Sequence, residues 1–265
     1  MKTWKSWASA GALLLIMGAA VPARADFRVA YESPGDDPAL VAAHDVLVKS
    51  QALEELQTFL APLRLPVNVN LHAAACGAER RDYEPRSHTA TLCYEMAARI
   101  LAVAAGHSDA SEDDRRTAVI GTLVEALLHE TSYALFDVYN VPVWGRIEDA
   151  ADRLTALVMT QFGEDTARTT IFGVATFFQW SARTWSGAQF ASKESPEAQR
   201  FYNFLCVAYG ADPIAFDAIV QNGALPAYRS QQCGYEYQQI RKAFDLRMMP
   251  FVDPDKLVQA RARQW

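Results

Sequence analysis

The chain has 265 residues, 51% of them hydrophobic, and a formal net charge of −6 from 31 acidic residues against 25 Lys and Arg. That length is ample for a sizeable core. An acidic balance without a basic stripe argues against nucleic acid and anionic membrane surfaces as partners.

The first residues have three parts. Lys2 and Lys5 precede a short apolar run, Trp7 to Val21, and Ala23-Arg24-Ala25 has the A-x-A form of a cleavage site. This pattern predicts a signal peptide over residues 1–25, export to the periplasm or beyond, and a mature start at Asp26. The run is shorter than the roughly 20 residues that span a bilayer, and no later stretch is apolar enough, so no membrane span is expected in the mature chain. Residues 26–265 are expected to form a single domain. It is more acidic than the whole chain, because Lys2, Lys5 and Arg24 leave with the leader.

Phe27 to Tyr31 alternates apolar and polar residues as a strand does, and Ser33-Pro34-Gly35-Asp36 turns the chain. Leu40 to Leu60 has helical spacing, and Leu65 to Ala74 alternates again. Gly77 to His88 is polar and predicts no regular element. Thr89 to Cys93 reads as a strand leading into a helix from Tyr94 to Ala105, and Gly106 to Arg115 reads as a loop. Thr117 to Tyr139 carries the broadest apolar helical face, stopped by Asn140-Val141-Pro142. Further helices are expected at Glu148–Phe162, Thr166–Trp185, Pro196–Tyr209, Pro213–Gln221 and Tyr235–Leu246. The acidic start of the first of these suits the positive end of a helix dipole. The class is α+β, predominantly helical.

Four cysteines remain after the leader: Cys76, Cys93, Cys206 and Cys233. An even number in an exported chain predicts two disulfides. Of the three pairings, Cys76–Cys93 and Cys206–Cys233 close local segments and are favoured. A zinc–thiolate cluster is disfavoured by the lack of any C-x-x-C pair.

The long helix contains Leu128-His129-Glu130-Thr131-Ser132-Tyr133. A zinc peptidase helix carries two histidines at i and i+4, which puts both imidazoles on one face, with a Glu beside the first as general base. His129 and Glu130 occupy the first two places, and Tyr133 stands where the second histidine belongs. Gly145-Arg146-Ile147-Glu148-Asp149-Ala150-Ala151-Asp152 follows after a short turn. Glu148 at a neighbouring helix start is placed as a third metal ligand, with Asp149 and Asp152 orienting ligands from behind. The plainer reading of Glu148 and Asp149 is compensation of the helix dipole.

These blocks resemble a bacterial family of undetermined substrate described as glutamate-zincin metallopeptidases. The resemblance extends over most of the mature chain, through Cys76-Gly77, Tyr83-Glu84-Pro85, Thr91-Leu92-Cys93-Tyr94-Glu95, His129-Glu130, Pro142 to Asp152, Gln199-Arg200 to Cys206, Tyr209 to Pro213, Leu225-Pro226, Cys233 and Glu236-Tyr237. It implies a metallopeptidase-like α+β fold, a zinc cofactor and a peptide or protein substrate or partner. The departures fall on the chemistry. The family has H-E-x-G-H where this chain has His129-Glu130-Thr131-Ser132-Tyr133. It often has an Asn near Arg80, and Asp-x-His where this chain has Ser192-Lys193-Glu194.

Three functions follow. One is a degenerate relative that binds little or no zinc and acts by binding or as a scaffold of the cell envelope. The second is an active zinc peptidase with His129, Tyr133 and Glu148 as ligands, Glu130 as base, and Glu194 as a further carboxylate if the fold brings it near. The third uses another divalent metal through Glu148, Asp149 and Asp152. A phenol ionises near pH 10 and reaches further than an imidazole, which favours loss of peptidase activity. His44, His72, His88 and His107 lack ligand spacing. No G-x-S-x-G elbow or phosphate loop occurs. Phe172 to Trp185 reads as core.

Overall fold

The computed structural model describes residues 25–182 and 190–261. Residues 1–24 of the expected leader and the expected helix end at Trp185 lie outside the described residues.

Four strands, β1 (Phe27–Tyr31), β2 (Val69–Ala74), β3 (Arg81–Glu84) and β4 (Thr89–Cys93), form one sheet in the order β1-β2-β4-β3. β1, β2 and β4 run parallel, and β3 pairs antiparallel at the edge. Val29 lies opposite Leu71, and Leu71 opposite Ala90, so the apolar positions of neighbouring strands share a face. The stretch read as irregular contains β3. Its residues (RDYE) carry no apolar alternation, and pairing with β4 rather than side-chain burial makes it a strand.

The helices are α1 (Pro38–Lys49), α2 (Ala52–Leu60), α3 (Tyr94–Gly106), α4 (Glu112–Val138), α5 (Ile147–Met159), α6 (Glu164–Ser181), α7 (Glu197–Ala211), α8 (Ala218–Gln221), α9 (Ala227–Arg247) and α10 (Pro254–Arg261). The helix expected over Leu40–Leu60 is two, broken where Gln51 adopts a left-handed φ of 51°. α4 starts earlier than its apolar pattern does. Ser111 Oγ accepts from Asp114 N at 3.0 Å, and Glu112, Asp113 and Asp114 face the positive helix end. α9 also starts earlier, directly after Pro226, because only Cys233 along it is fully buried and no apolar stripe marks its first turns. The expected Pro213–Gln221 helix reduces to α8, preceded by turns.

α4 is the central element, packed on β3 and β4 and on α3, α5 and α6. Its middle is buried around the helix and includes the polar Glu125, His129, Glu130, Thr131 and Ser132. Thr131 Oγ1 and Ser132 Oγ return hydrogen bonds to Leu127 O at 2.7 Å and Leu128 O at 2.8 Å, so neither hydroxyl is left unpaired. α6 approaches α4 backbone to backbone. A Cβ on Gly173 would sit 2.1 Å from Thr117 O, and one on Gly121 2.3 Å from Thr170 O.

Both disulfides have the local pairing expected. Cys76–Cys93 ties the segment after β2 to the end of β4, and Cys206–Cys233 ties α7 to α9. Among the described residues no helix is long and apolar enough to cross a membrane.

The α4–α6 contact yields a stability prediction. Gly173→Ala forces two helix backbones apart and is expected to cost about 1–3 kcal/mol in urea denaturation. Gly234→Ala on α9, where an added Cβ meets nothing within 4 Å, is expected to be neutral or to stabilise by up to about 1 kcal/mol.

Candidate metal centre and its ion-pair network

α4 places Glu125, His129 and Tyr133 one turn apart on one face, with Glu130 beside them. α5 brings Glu148 in its first turn and Asp152 one turn later. The two helices meet at His129. Its Nδ1 lies 2.8 Å from Asp152 Oδ1 and its Nε2 lies 3.0 Å from Glu148 Oε2. Both ring nitrogens therefore face carboxylate oxygens, which favours the charged, doubly protonated ring. Burial and the charge of Arg81 press it toward neutrality. The hydrogen bonds to Asp152 and Glu148 outweigh them and hold its pKa above the usual histidine value.

Two buried arginines complete the interior. Arg200, from α7, donates Nε to Asp152 Oδ2 at 2.7 Å and an Nη to Asp152 Oδ1 at 2.7 Å and to Glu125 Oε1 at 2.6 Å. Its guanidinium carbon lies 4.3 Å from the centre of the Phe178 ring on α6. Arg81, from edge strand β3, donates to both Glu125 oxygens at 3.0 and 2.9 Å, and its Nε lies 3.2 Å from Glu130 Oε1. Burial would raise the Asp152 carboxyl, but Arg200 and His129 hold it well below its ordinary value. Glu130 goes the other way. Burial pushes its carboxyl up to about 6 against the opposing charges of Arg81 and His129.

The outer side of the cluster is Glu148. Its Oε1 meets Lys193 Nζ at 2.9 Å as an ion pair, without the alignment of a hydrogen bond. The Tyr133 phenol lies beside the same carboxylate, near enough to favour its charged form. Burial disfavours the Glu148 charge, yet His129, Tyr133 and Lys193 together hold its carboxyl far below the usual range. Burial first, then the nearby Glu148 charge, raises the Tyr133 phenol well above its ordinary value, so it stays protonated. Four carboxylates, Glu125, Glu130, Glu148 and Asp152, thus meet four cations, Arg81, His129, Lys193 and Arg200.

Of the residues singled out in the sequence, His129, Glu130, Tyr133, Glu148 and Asp152 come together. Asp149 lies on the other side of α5's first turn and accepts from the Ser195 hydroxyl at 2.6 Å. Glu194 is exposed and lines a polar cleft at the mouth with Lys193, Arg81 and Glu79. Sequence reasoning missed Glu125, Arg81 and Arg200. Glu125 was within reach, one turn before His129 on the same face. The two arginines carry no local signal. Glu125, His129 and Asp152 present donor atoms within 4.8 Å of one another, a group of metal-site size, but Arg200 already occupies the carboxylates of both acids. Cys76, Cys93 and Glu95 form a second such group, whose sulfurs are bonded to each other.

A family model described as "Putative metallopeptidase" matches residues 31–247, which include every residue of this cluster. No match was found among curated proteins or among solved structures.

The network predicts a large penalty for an unpaired buried charge. Arg200→Leu leaves Asp152 and Glu125 without their shared guanidinium and is expected to cost about 3–5 kcal/mol in chemical denaturation. Arg241→Leu, which removes an exposed pair with Asp245, is expected to cost under about 1 kcal/mol.

Proposed function

Because the chain belongs to this metallopeptidase family, we propose that it is an exported relative that has kept the peptidase scaffold, given up zinc-dependent hydrolysis, and acts by binding a peptide or protein partner. The observation that carries this reading is the state of the ligand positions. A zinc ion takes lone pairs from at least three protein groups. Here Tyr133 stands at the second ligand position of the helix and burial keeps its phenol protonated, so His129 and Glu148 are the two groups left to offer lone pairs. Two ready donors fall short of a zinc site unless the phenol gives up its proton. Glu130, the residue that would act as base, is held in an ion pair with Arg81.

One observation favours the rival reading of an active peptidase. The Glu130 carboxyl, pushed up to about 6, lies in the range that suits a general base near neutral pH. His129, Glu130 and Glu148 are also all retained.

Two measurements decide between them: metal content of the purified protein by mass spectrometry, before and after zinc dialysis, and hydrolysis of a denatured protein substrate. The expected result is no stoichiometric zinc and no turnover that Glu130→Gln abolishes. Near-stoichiometric zinc that disappears in His129→Ala, with turnover lost in Glu130→Gln, would establish the active enzyme instead. Export is tested separately. The protein recovered from a cell's periplasmic or culture fraction is expected to begin at Asp26, and recovery only from the cytoplasm with its leader intact would refute it.

A further inference from the structure

The segment ahead of α7 lies across the mouth of the site and is fixed to α5 on both sides of Lys193. Arg146, at the N-terminal cap of α5, donates to the carbonyl oxygens of Ser192, at 3.0 Å, and of Lys193 itself. Two residues further on, the buried Ser195 donates its hydroxyl to Asp149 Oδ1. Arg146 and Asp149 bracket Glu148 in sequence. The same helical turn therefore holds both the carboxylate and the backbone of the lysine that meets it. The Lys193 side chain is 74% exposed and the Glu148 side chain 5%, so the lysine reaches in from solvent and ends on a buried acid.

An ammonium in this position supplies the charge that a bound cation would supply. It sits on Glu148 Oε1 while His129 holds Oε2 on the inner side. Its backbone is pre-positioned, so little ordering entropy opposes the contact, unlike that of a free surface pair.

We propose that Lys193 is the resident cation of this site, held by the 192–195 segment at the place where a divalent ion would meet Glu148. The inference rests on the metal-free reading above and adds to it. Restoring the missing histidine is then not enough to restore a metal site, because the ammonium still repels the ion and still occupies its carboxylate.

The test is a double-mutant cycle on zinc affinity. Wild type, Tyr133→His, Lys193→Met and the double variant are compared by competition with a chromophoric zinc chelator. Thermal unfolding with and without zinc gives a second readout. Zinc-free unfolding and circular dichroism confirm that each variant folds, which the exposure of Lys193 favours, and Lys193→Gln serves in place of any Met variant that does not. The double variant is expected to bind zinc at least about tenfold more tightly than Tyr133→His, equivalent to about 1.4 kcal/mol. It alone should gain thermal stability on adding zinc, and Lys193→Arg in the same background should abolish the gain. Equal zinc affinity in Tyr133→His and the double variant would overturn the role of Lys193. So would the absence of zinc binding in both, and either result leaves the metal-free reading standing. Tight zinc binding by the wild type would overturn both.

Discussion

Arg200 and Asp152 form the contact on which the rest of the interior depends. Two hydrogen bonds of 2.7 Å join a guanidinium on α7 to a carboxylate on α5. The same guanidinium reaches Glu125 on α4 and stacks over Phe178 on α6. Removing charges from water costs several kcal/mol per ion, and pairing recovers that cost only with good geometry and all partners present. The network meets that condition by drawing on β3, α4, α5 and α7 at once, with the 192–195 segment closing it. Such a cluster contributes less to net stability than the apolar core around it. Its effect is to penalise any arrangement of those elements other than this one. α6 and α4 then complete the frame where Gly121 and Gly173 let the two backbones touch.

That division explains which features were legible in the sequence. The strand at Phe27–Tyr31, the central helix and its stop, and both disulfides followed from local pattern and short loop closure. His129, Glu130 and Glu148 followed from the spacing that a metal helix requires. The edge strand β3 was not legible, because its residues have no apolar alternation and its order comes from β4. Arg81 and Arg200 were invisible for a related reason. A counter-ion to a buried acid is chosen by the fold, not by its neighbours in the chain, and nothing around Gln199-Arg200 marks that guanidinium as interior. Glu125 is different. Its spacing from His129 placed it on the ligand face, and the apolar run around it obscured its role. Asp149 lies in the expected turn and accepts from the Ser195 hydroxyl, a contact no local pattern announced.

Tyr133 and Lys193 are 60 positions apart in the chain, yet both end on the Glu148 carboxylate. A histidine at position 133 would offer a lone pair. The tyrosine and lysine found here offer hydrogens. With His129 they surround Glu148 with one hydrogen-bond donor, a second positive charge and a phenol, and the two charges offset the cost of burying the carboxylate. Tyr133 and Lys193 are thus coupled through Glu148. The Glu148 carboxylate is met by His129 on one oxygen and by the Lys193 charge on the other, between the same helices that bring Glu130 and Asp152 to the site.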